Sequence, residues 1–157
     1  MEYKQKIIKT VDRFYVDCIE EFKEAELKIA NDSRFRKIFQ KKDYGSNIAL
    51  LKKCKKRAQS LKFPTGDIPK DDDVSKDLIH HTENCIRQFN RLCDSYVSLQ
   101  LALQCKANGE KMTYKEYKSI YNRTQEDRVD MNKALKELDI LYTDYIEEED
   151  YDVYEFL

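Results

Sequence analysis

The sequence predicts an all-α fold, a helical bundle of three long helices and one or two shorter ones. Two observations support this prediction. Only three Gly and two Pro occur among 157 residues, and they fall in three places. Between those places the apolar residues recur at steps of three and four, which puts them on one face of an α-helix. The chain has no uncharged apolar run long enough to span a membrane.

The first long helix is predicted over residues 2–30. Its apolar residues form one wide stripe, and at 1.5 Å per residue the helix is roughly 40 Å long. The polar run Asn31-Asp32-Ser33 offers N-capping side chains, which predicts a break and a short helix over 33–42. The stripe consists of Ile7, Val11, Phe14, Cys18, Phe22, Ala25 and Ile29.

A second short helix is predicted over 46–62, with Ser46 or Asn47 as its N-cap after Gly45. The two prolines between Phe63 and Asp73 forbid a helix there, so this stretch is expected to be a loop.

The next long helix, 74–107, carries a heptad repeat. The repeat packs either inside the chain's own core or, as an alternative, against a second copy as a homodimer seam over 78–103. Its members are Leu78, Thr82, Cys85, Phe89, Leu92, Tyr96, Leu99 and Leu103.

The last long helix is predicted over 113–147. Asn108-Gly109 suits the left-handed conformation that ends helices, and Thr113 with Glu116 has the spacing of a capping box. So short a connection makes the last two long helices an antiparallel hairpin. The middle of this helix, 122–130, is polar apart from Val129, so we expect its packed face to be weakest there. Tyr117, Ile120, Tyr121, Met131, Leu135, Leu138, Tyr142 and Tyr145 form the expected apolar face.

The domain organisation follows from these elements. We expect a single helical domain over 1–147 and an acidic, aromatic C-terminal tail over 148–157. Whether that tail is ordered or docks on the rest of the chain is left open by the sequence.

Charge is strongly segregated along the chain although its net value is only −1. Residues 34–62 contain eleven basic residues and one acid, whereas residues 139–157 contain eight acids and no base. A dense basic surface can lie against an acidic protein or neutralise nucleic-acid phosphates, or it can be an ordinary solvated face. The candidate binding residues of this basic segment are Arg34, Arg36, Lys37, Lys52, Lys53, Lys55, Lys56 and Arg57.

The C-terminal tail is a second candidate binding element. It interleaves acids with aromatic residues, a composition typical of segments that fold on binding rather than of purely solvating tails. The alternatives are a tail that docks on the basic segment, a tail that binds a partner, and a frayed terminus. Its candidate residues are Glu147, Glu148, Glu149, Asp150, Tyr151, Tyr154 and Phe156.

Catalytic and metal-binding patterns are weak. The five cysteines are odd in number and widely spaced, which favours buried thiols in a reducing compartment over disulfides. His80 and His81 have too few further ligands for a metal site. We therefore predict neither a metal nor a cofactor. A minor alternative is a Mg²⁺-dependent hydrolase, whose paired carboxylates would be those of Glu21, Glu24, Asp127 and Asp130.

Together these patterns predict a non-catalytic cytoplasmic protein that acts through protein–protein interaction, of an adaptor, immunity or antitoxin type. Its basic segment and acidic tail would set partner choice through charge complementarity. The first alternative is a nucleic-acid-associated protein with the tail as an internal competitor for the basic segment. The second is the helical hydrolase.

Overall fold

The computed structural model describes the backbone of residues 2–34 and 43–155, and the side chains of residues 2–30 and 43–148. Within these ranges every regular element is helical, so the predicted all-α bundle is confirmed. The short helix predicted over 33–42 falls outside the described residues from residue 35 onward. None of the described helices combines the length and apolar character needed to cross a bilayer.

The first helix is continuous from Glu2 to Arg34 but changes its winding. An α-helix over Glu2–Arg13 leads into a π-helical segment over Phe14–Glu20, and α-helix resumes over Glu21–Arg34. The predicted break at 31–33 is wrong because the backbone stays helical there. Asn, Asp and Ser favour helix starts but oppose a helix interior only weakly, so they did not end this one.

The π-helical segment keeps the apolar stripe on the core. Phe14, Cys18 and Phe22 are spaced by four residues, slightly more than one α-helical turn, and each is at most 5% exposed. Hydrogen bonds in a π-helix run between residues five apart, so its wider turn accommodates the longer spacing. The sequence predicted the buried stripe but not this change of helix type.

The second helix, Tyr44–Ser60, begins earlier than expected. The Asp43 carboxylate accepts a hydrogen bond from the Ser46 backbone N–H at 2.9 Å and is the N-cap. The predicted cap at Ser46 or Asn47 is therefore wrong. Asn47 is instead buried, and its side-chain amide donates to the Gln100 side-chain oxygen at 3.2 Å.

The third helix starts and stops, and the fourth helix starts, as their signals predict. The third helix, Asp73–Ala107, has Asp72 as its N-cap, and Gly109 follows it with a φ of 80°. The fourth helix is Tyr114–Glu155. The Glu116 N–H donates to Thr113 Oγ1 at 3.1 Å, and the Thr113 N–H donates to the Glu116 carboxylate at 3.3 Å. These two bonds confirm the capping box.

Contacts along the third helix define the topology of the bundle. Thr124 of the fourth helix donates to the Ser95 carbonyl at 3.3 Å, while the Tyr145 and Ser75 hydroxyls lie 2.8 Å apart. The third and fourth helices are therefore antiparallel, as predicted. The second helix is antiparallel to the third as well, since Asn47 pairs with Gln100 and Lys55 with Asp94.

The first helix runs parallel to the third. Near one end the Tyr3 hydroxyl donates to Asp72, and further along the Tyr96 hydroxyl donates to Glu26, each at 2.7 Å. The four described helices therefore alternate up, down, up and down around one core. Such an arrangement needs only short connections between neighbours.

The heptad seam of the third helix packs inside this bundle. Its residues from Leu78 to Leu99 are at most 8% exposed within the single chain, and Leu103 is half-buried. Phe89 meets Phe14 and Phe22 edge-to-face, with ring centroids 5.7 and 5.4 Å apart. The seam is thus the chain's own core. The structure therefore contradicts the alternative of a homodimer through residues 78–103, because the same side chains cannot also face a second copy.

The fourth helix packs through polar contacts in its middle, where its face toward the core lacks apolar residues. Thr124 is fully buried, and Asp127 accepts a hydrogen bond from the Ser95 hydroxyl. Arg128 pairs with Glu26 at 2.6 Å and lies over the Tyr96 ring. Val129 is 65% exposed. The N-terminal turns differ from expectation: Tyr117 and Ile120 are only half-buried and Tyr121 is exposed.

Candidate functional site

The second helix presents lysines to solvent along its outer side. Leu51 and Ala58 face the core and are at most 1% exposed. Lys52, Lys53 and Lys56 lie on the exposed part of the helix. We call these three lysines the basic face; all three belong to the predicted binding residues.

Two other predicted binding residues form ion pairs with carboxylates on neighbouring helices. The Lys55 ammonium binds the Asp94 carboxylate at 2.8 Å, and the Arg57 guanidinium forms an ion pair with Glu21. Their side chains are 30% and 40% exposed. These two cations therefore help to join the second helix to the third and first helices, and partner binding would have to compete with those contacts.

The remaining predicted basic residues lie near the gap in the described chain. Arg34 is the last residue of the first helix, and its side chain is outside the described set. Arg36 and Lys37 fall in the segment 35–42, which is also outside the described residues. Their place relative to the basic face stays a prediction.

An open groove of about 750 Å³ lies between the end of the second helix, the following loop and the start of the third helix. Its apolar lining is half-buried and packs on the core beneath it. We call it the apolar groove, and its larger apolar side chains are Leu61, Phe63, Ile68, Ile79 and Ile86.

Cationic side chains surround the apolar groove. Lys62, Lys76 and Arg87 are exposed and line it, together with one acid, Glu83. We call the three cations the basic rim. His80, the exposed member of the histidine pair, also lies on this groove.

Lys52 and Lys56 of the basic face form one cationic surface with the basic rim. Lys52, Lys56 and the groove residue Gln59 follow one another at steps of four and three, so they lie along one side of the second helix. On the third helix Arg91 is exposed one turn beyond Arg87. Lys76, Arg87 and Arg91 were not predicted because they lie outside the stretch of high basic charge density, residues 34–62. The spacing of Arg87 and Arg91, one helical turn apart, was the sequence signal that could have indicated this part of the cationic surface.

The acidic tail continues the fourth helix. Glu147 and Glu148 are exposed, and the backbone stays helical to Glu155. The side chains of Glu149, Asp150, Tyr151 and Tyr154 are outside the described set, as is the whole of Phe156. The fourth helix thus extends eight residues past its expected end at 147.

The tail leaves the bundle at a defined end. Tyr145 contacts Ser75, two residues after the start of the third helix at Asp73. Ten more residues lead from Tyr145 to Glu155, roughly 15 Å of helix at 1.5 Å per residue. An unbroken helix in this direction runs past the N-terminal end of the third helix. It does not turn back toward the basic face of its own chain.

The candidate ligands for a metal are dispersed. His81 Nδ1 lies 2.8 Å from the Asp77 carbonyl, and Cys85, one turn later, is buried. In the described part of the chain no three His, Cys, Asp or Glu side chains come close enough to hold a metal ion. Glu21 pairs with Arg57 on the second helix while Asp127 accepts from Ser95 on the third. The carboxylates of the hydrolase alternative therefore face different neighbours.

Four of the five cysteines are buried and all five are free thiols, in agreement with the sequence. Burial raises the pKa of the Cys18 and Cys85 thiols to about 12. A thiol with so high a pKa is almost entirely protonated at neutral pH, and the thiolate is the nucleophilic form. These cysteines serve as small packing residues.

Comparison with known proteins finds no matching family model, no matching curated protein and no matching solved structure. The class of protein is accordingly defined by the fold and the candidate site. It is an up-down-up-down helical bundle with an apolar groove, a basic rim and a helical acidic extension.

Proposed function

We propose that this protein is a non-catalytic interaction protein that binds an acidic, partly apolar segment of a protein partner. The segment lies in the apolar groove, with its acids on the basic rim and the basic face. The proposal includes the cytoplasmic adaptor, immunity and antitoxin roles, which share this mode of action.

The observation that carries the proposal is the apolar lining beside the cations. Phe63, Ile79 and Ile86 form a half-buried apolar lining next to Lys62 and Arg87. Apolar and aromatic side chains of a peptide gain free energy by leaving water in such a groove, while its carboxylates gain from the rim. A phosphate backbone would use only the cations. The mixed chemistry therefore favours a protein segment over nucleic acid.

Selection of displayed random peptides on the full-length protein tests this proposal. We expect the enriched peptides to combine acids with aromatic or aliphatic residues. They should bind the rim variant Lys62→Glu/Arg87→Glu at least about tenfold more weakly than the unmodified protein, because opposite charges then repel. The matched control is Lys133→Glu/Lys136→Glu, which makes the same charge change at exposed positions of the fourth helix.

Two results would contradict the proposal. One is enrichment of peptides without acids, and the other is equal binding to the rim variant and the unmodified protein. A labelled RNA or duplex DNA that binds with a steep salt dependence, in the absence of peptide enrichment, would support the nucleic-acid alternative instead. Calorimetric Mg²⁺ binding that Glu24→Gln abolishes would support the hydrolase alternative.

A further inference from the structure

The acidic tail and the apolar groove lie at the same end of the bundle. The groove includes Lys76 and Ile79, in the first two turns of the third helix, and Tyr145 at the root of the tail contacts Ser75. The tail nevertheless leaves as a continuation of the fourth helix through Glu155. It leads away from the groove of its own chain unless that helix breaks.

The two helices beside the third helix also separate the tail from the groove. Asp94 contacts Lys55 of the second helix, whereas the next residue, Ser95, contacts Asp127 of the fourth. Consecutive residues of an α-helix point about 100° apart. The groove therefore opens on the second-helix side of the third helix, and the tail begins on the fourth-helix side.

The composition of the tail complements the groove. The tail and the preceding Glu147 contain six acids and no base, with Tyr151, Tyr154 and Phe156 among them. The groove offers an apolar lining and three rim cations against one acid. The tail thus has the acidic and aromatic composition that the groove is proposed to bind.

We infer that the tail of a second copy of this chain occupies the apolar groove, with its aromatic side chains on the lining and its acids on the basic rim. Two copies that meet at this end of the bundle exchange tails reciprocally, which gives a closed two-fold dimer. The inference rests on the proposed function, since it uses the same groove. It adds that an outside partner must displace the tail, so partner binding and self-association compete.

Sedimentation velocity on full-length chains tests the exchange. The rim variant Lys62→Glu/Arg87→Glu retains its tail, and the tail variant Tyr151→Ser/Tyr154→Ser/Phe156→Ser retains its groove. We expect the unmodified protein to dimerise and each variant alone to dimerise at least about tenfold more weakly. An equimolar mixture of the two variants should form a 1:1 heterodimer, because one intact tail then meets one intact groove. Lys133→Glu/Lys136→Glu should dimerise like the unmodified protein.

Three outcomes would overturn the inference: an unmodified protein that stays monomeric, variants that dimerise normally, or a mixture without heterodimer. If a variant loses its helical circular dichroism, a second measurement is made on the unmodified protein instead. A synthetic peptide of residues 145–157 should then dissociate its dimer. Failure of that peptide to dissociate the dimer also contradicts the inference. A monomeric protein that still binds the displayed peptides at the rim leaves the proposed function standing, which separates the two failures.

Discussion

The rings of Tyr15 in the first helix and Tyr142 in the fourth helix stack with centroids 5.8 Å apart and planes 19° apart. Each hydroxyl donates a hydrogen bond to a carboxylate on the other helix, Tyr15 to Asp139 and Tyr142 to Asp12. In both helices the aspartate precedes the tyrosine by three residues. The same Asp-x-x-Tyr motif on two antiparallel helices therefore forms a reciprocal clasp.

We predict that Tyr15→Phe and Tyr142→Phe each lower the free energy of unfolding by about 1–2 kcal/mol, because each removes a charge-assisted hydrogen bond. Since the two rings stack, the effects should not be additive in a double-mutant cycle. Urea denaturation measures both quantities. Tyr114→Phe is the control, as Tyr114 is 75% exposed. Losses no larger than in the control would show that the clasp does not stabilise the fold.

A second prediction concerns alkaline pH. Burial, together with the bonds to Asp139 and Asp12, raises the pKa of Tyr15 and of Tyr142 above its ordinary value of 10.0. Unfolded tyrosine ionises more easily, so the stabilisation is complete below pH 10 and decreases as the pH rises further.

The expected slope is up to about 1.4 kcal/mol per pH unit for each tyrosine. Urea denaturation between pH 8 and pH 11 measures it, and the double Phe variant should lose stability less steeply than the unmodified protein. Parallel pH profiles for the two proteins would contradict this prediction.

A third prediction concerns the N-cap of the third helix. Asp72 accepts hydrogen bonds from the Ser75 N–H at 3.1 Å, from the Ser75 hydroxyl at 2.7 Å and from the Tyr3 hydroxyl at 2.7 Å. We expect Asp72→Ala to cost about 1–2 kcal/mol in thermal or urea unfolding. Asp71→Ala, at an exposed neighbouring position, should cost much less. Equal effects of the two substitutions would rule out the cap as the cause.

Low pH should remove the stability that the Asp72 cap contributes. Burial raises the pKa of Asp72, but the hydrogen bonds from Tyr3 and Ser75 outweigh it, so the pKa lies below its ordinary value of 3.8. A lowered carboxyl pKa contributes stability above the unfolded value, and this is lost as the pH falls through the folded value. The difference between Asp72→Ala and the unmodified protein should therefore shrink below pH 4.

The fourth prediction tests the aromatic core. Phe89 is completely buried between Phe14 and Phe22. Phe89→Ala should lower the free energy of unfolding by about 3–5 kcal/mol, since it removes apolar contacts and leaves a cavity. Val129→Ala, at a position that is 65% exposed, should change it by less than about 0.5 kcal/mol. Similar losses in both variants would contradict the assigned core.

The fifth prediction separates binding from stability on the second helix. Replacing the exposed Lys52, Lys53 and Lys56 by Gln should change the unfolding free energy by less than about 0.5 kcal/mol. The same variant should bind the selected acidic peptides more weakly, because it loses Lys52 and Lys56, which lie along the side of the second helix that leads to the groove. Arg57→Gln should cost up to about 1 kcal/mol by breaking the ion pair with Glu21. A strongly destabilised triple variant would show that these lysines are structural.

Local signals predicted the parts of the fold that depend on few residues. Gly109 takes the left-handed conformation, and Thr113 and Glu116 form both bonds of their capping box. Asp43 was missed as an N-cap because Ser46 and Asn47 are equally good capping residues by type. The hydrogen bond from the Ser46 N–H to the Asp43 carboxylate and the burial of Asn47 against Gln100 decide between them.

The candidate site was predicted in part. The basic face came from charge density between residues 34 and 62, but Lys55 and Arg57 are bound by Asp94 and Glu21. Those acids are 39 and 36 residues away along the chain, so the sequence could not show which cations are free of ion pairs. The apolar groove was not predicted either, because its lining comes from a loop and two helices.

The sequence by itself determined the helical class, the breaks before and after the third helix, the buried heptad of that helix and the separation of basic and acidic segments. Each depends on residue type and spacing within a few turns. The tertiary structure decided which lysines are exposed, that Lys76 and Arg87 join Lys62 around an apolar groove, and that two Asp-x-x-Tyr motifs meet. These features depend on how the helices are aligned, which is set by packing the whole core at once.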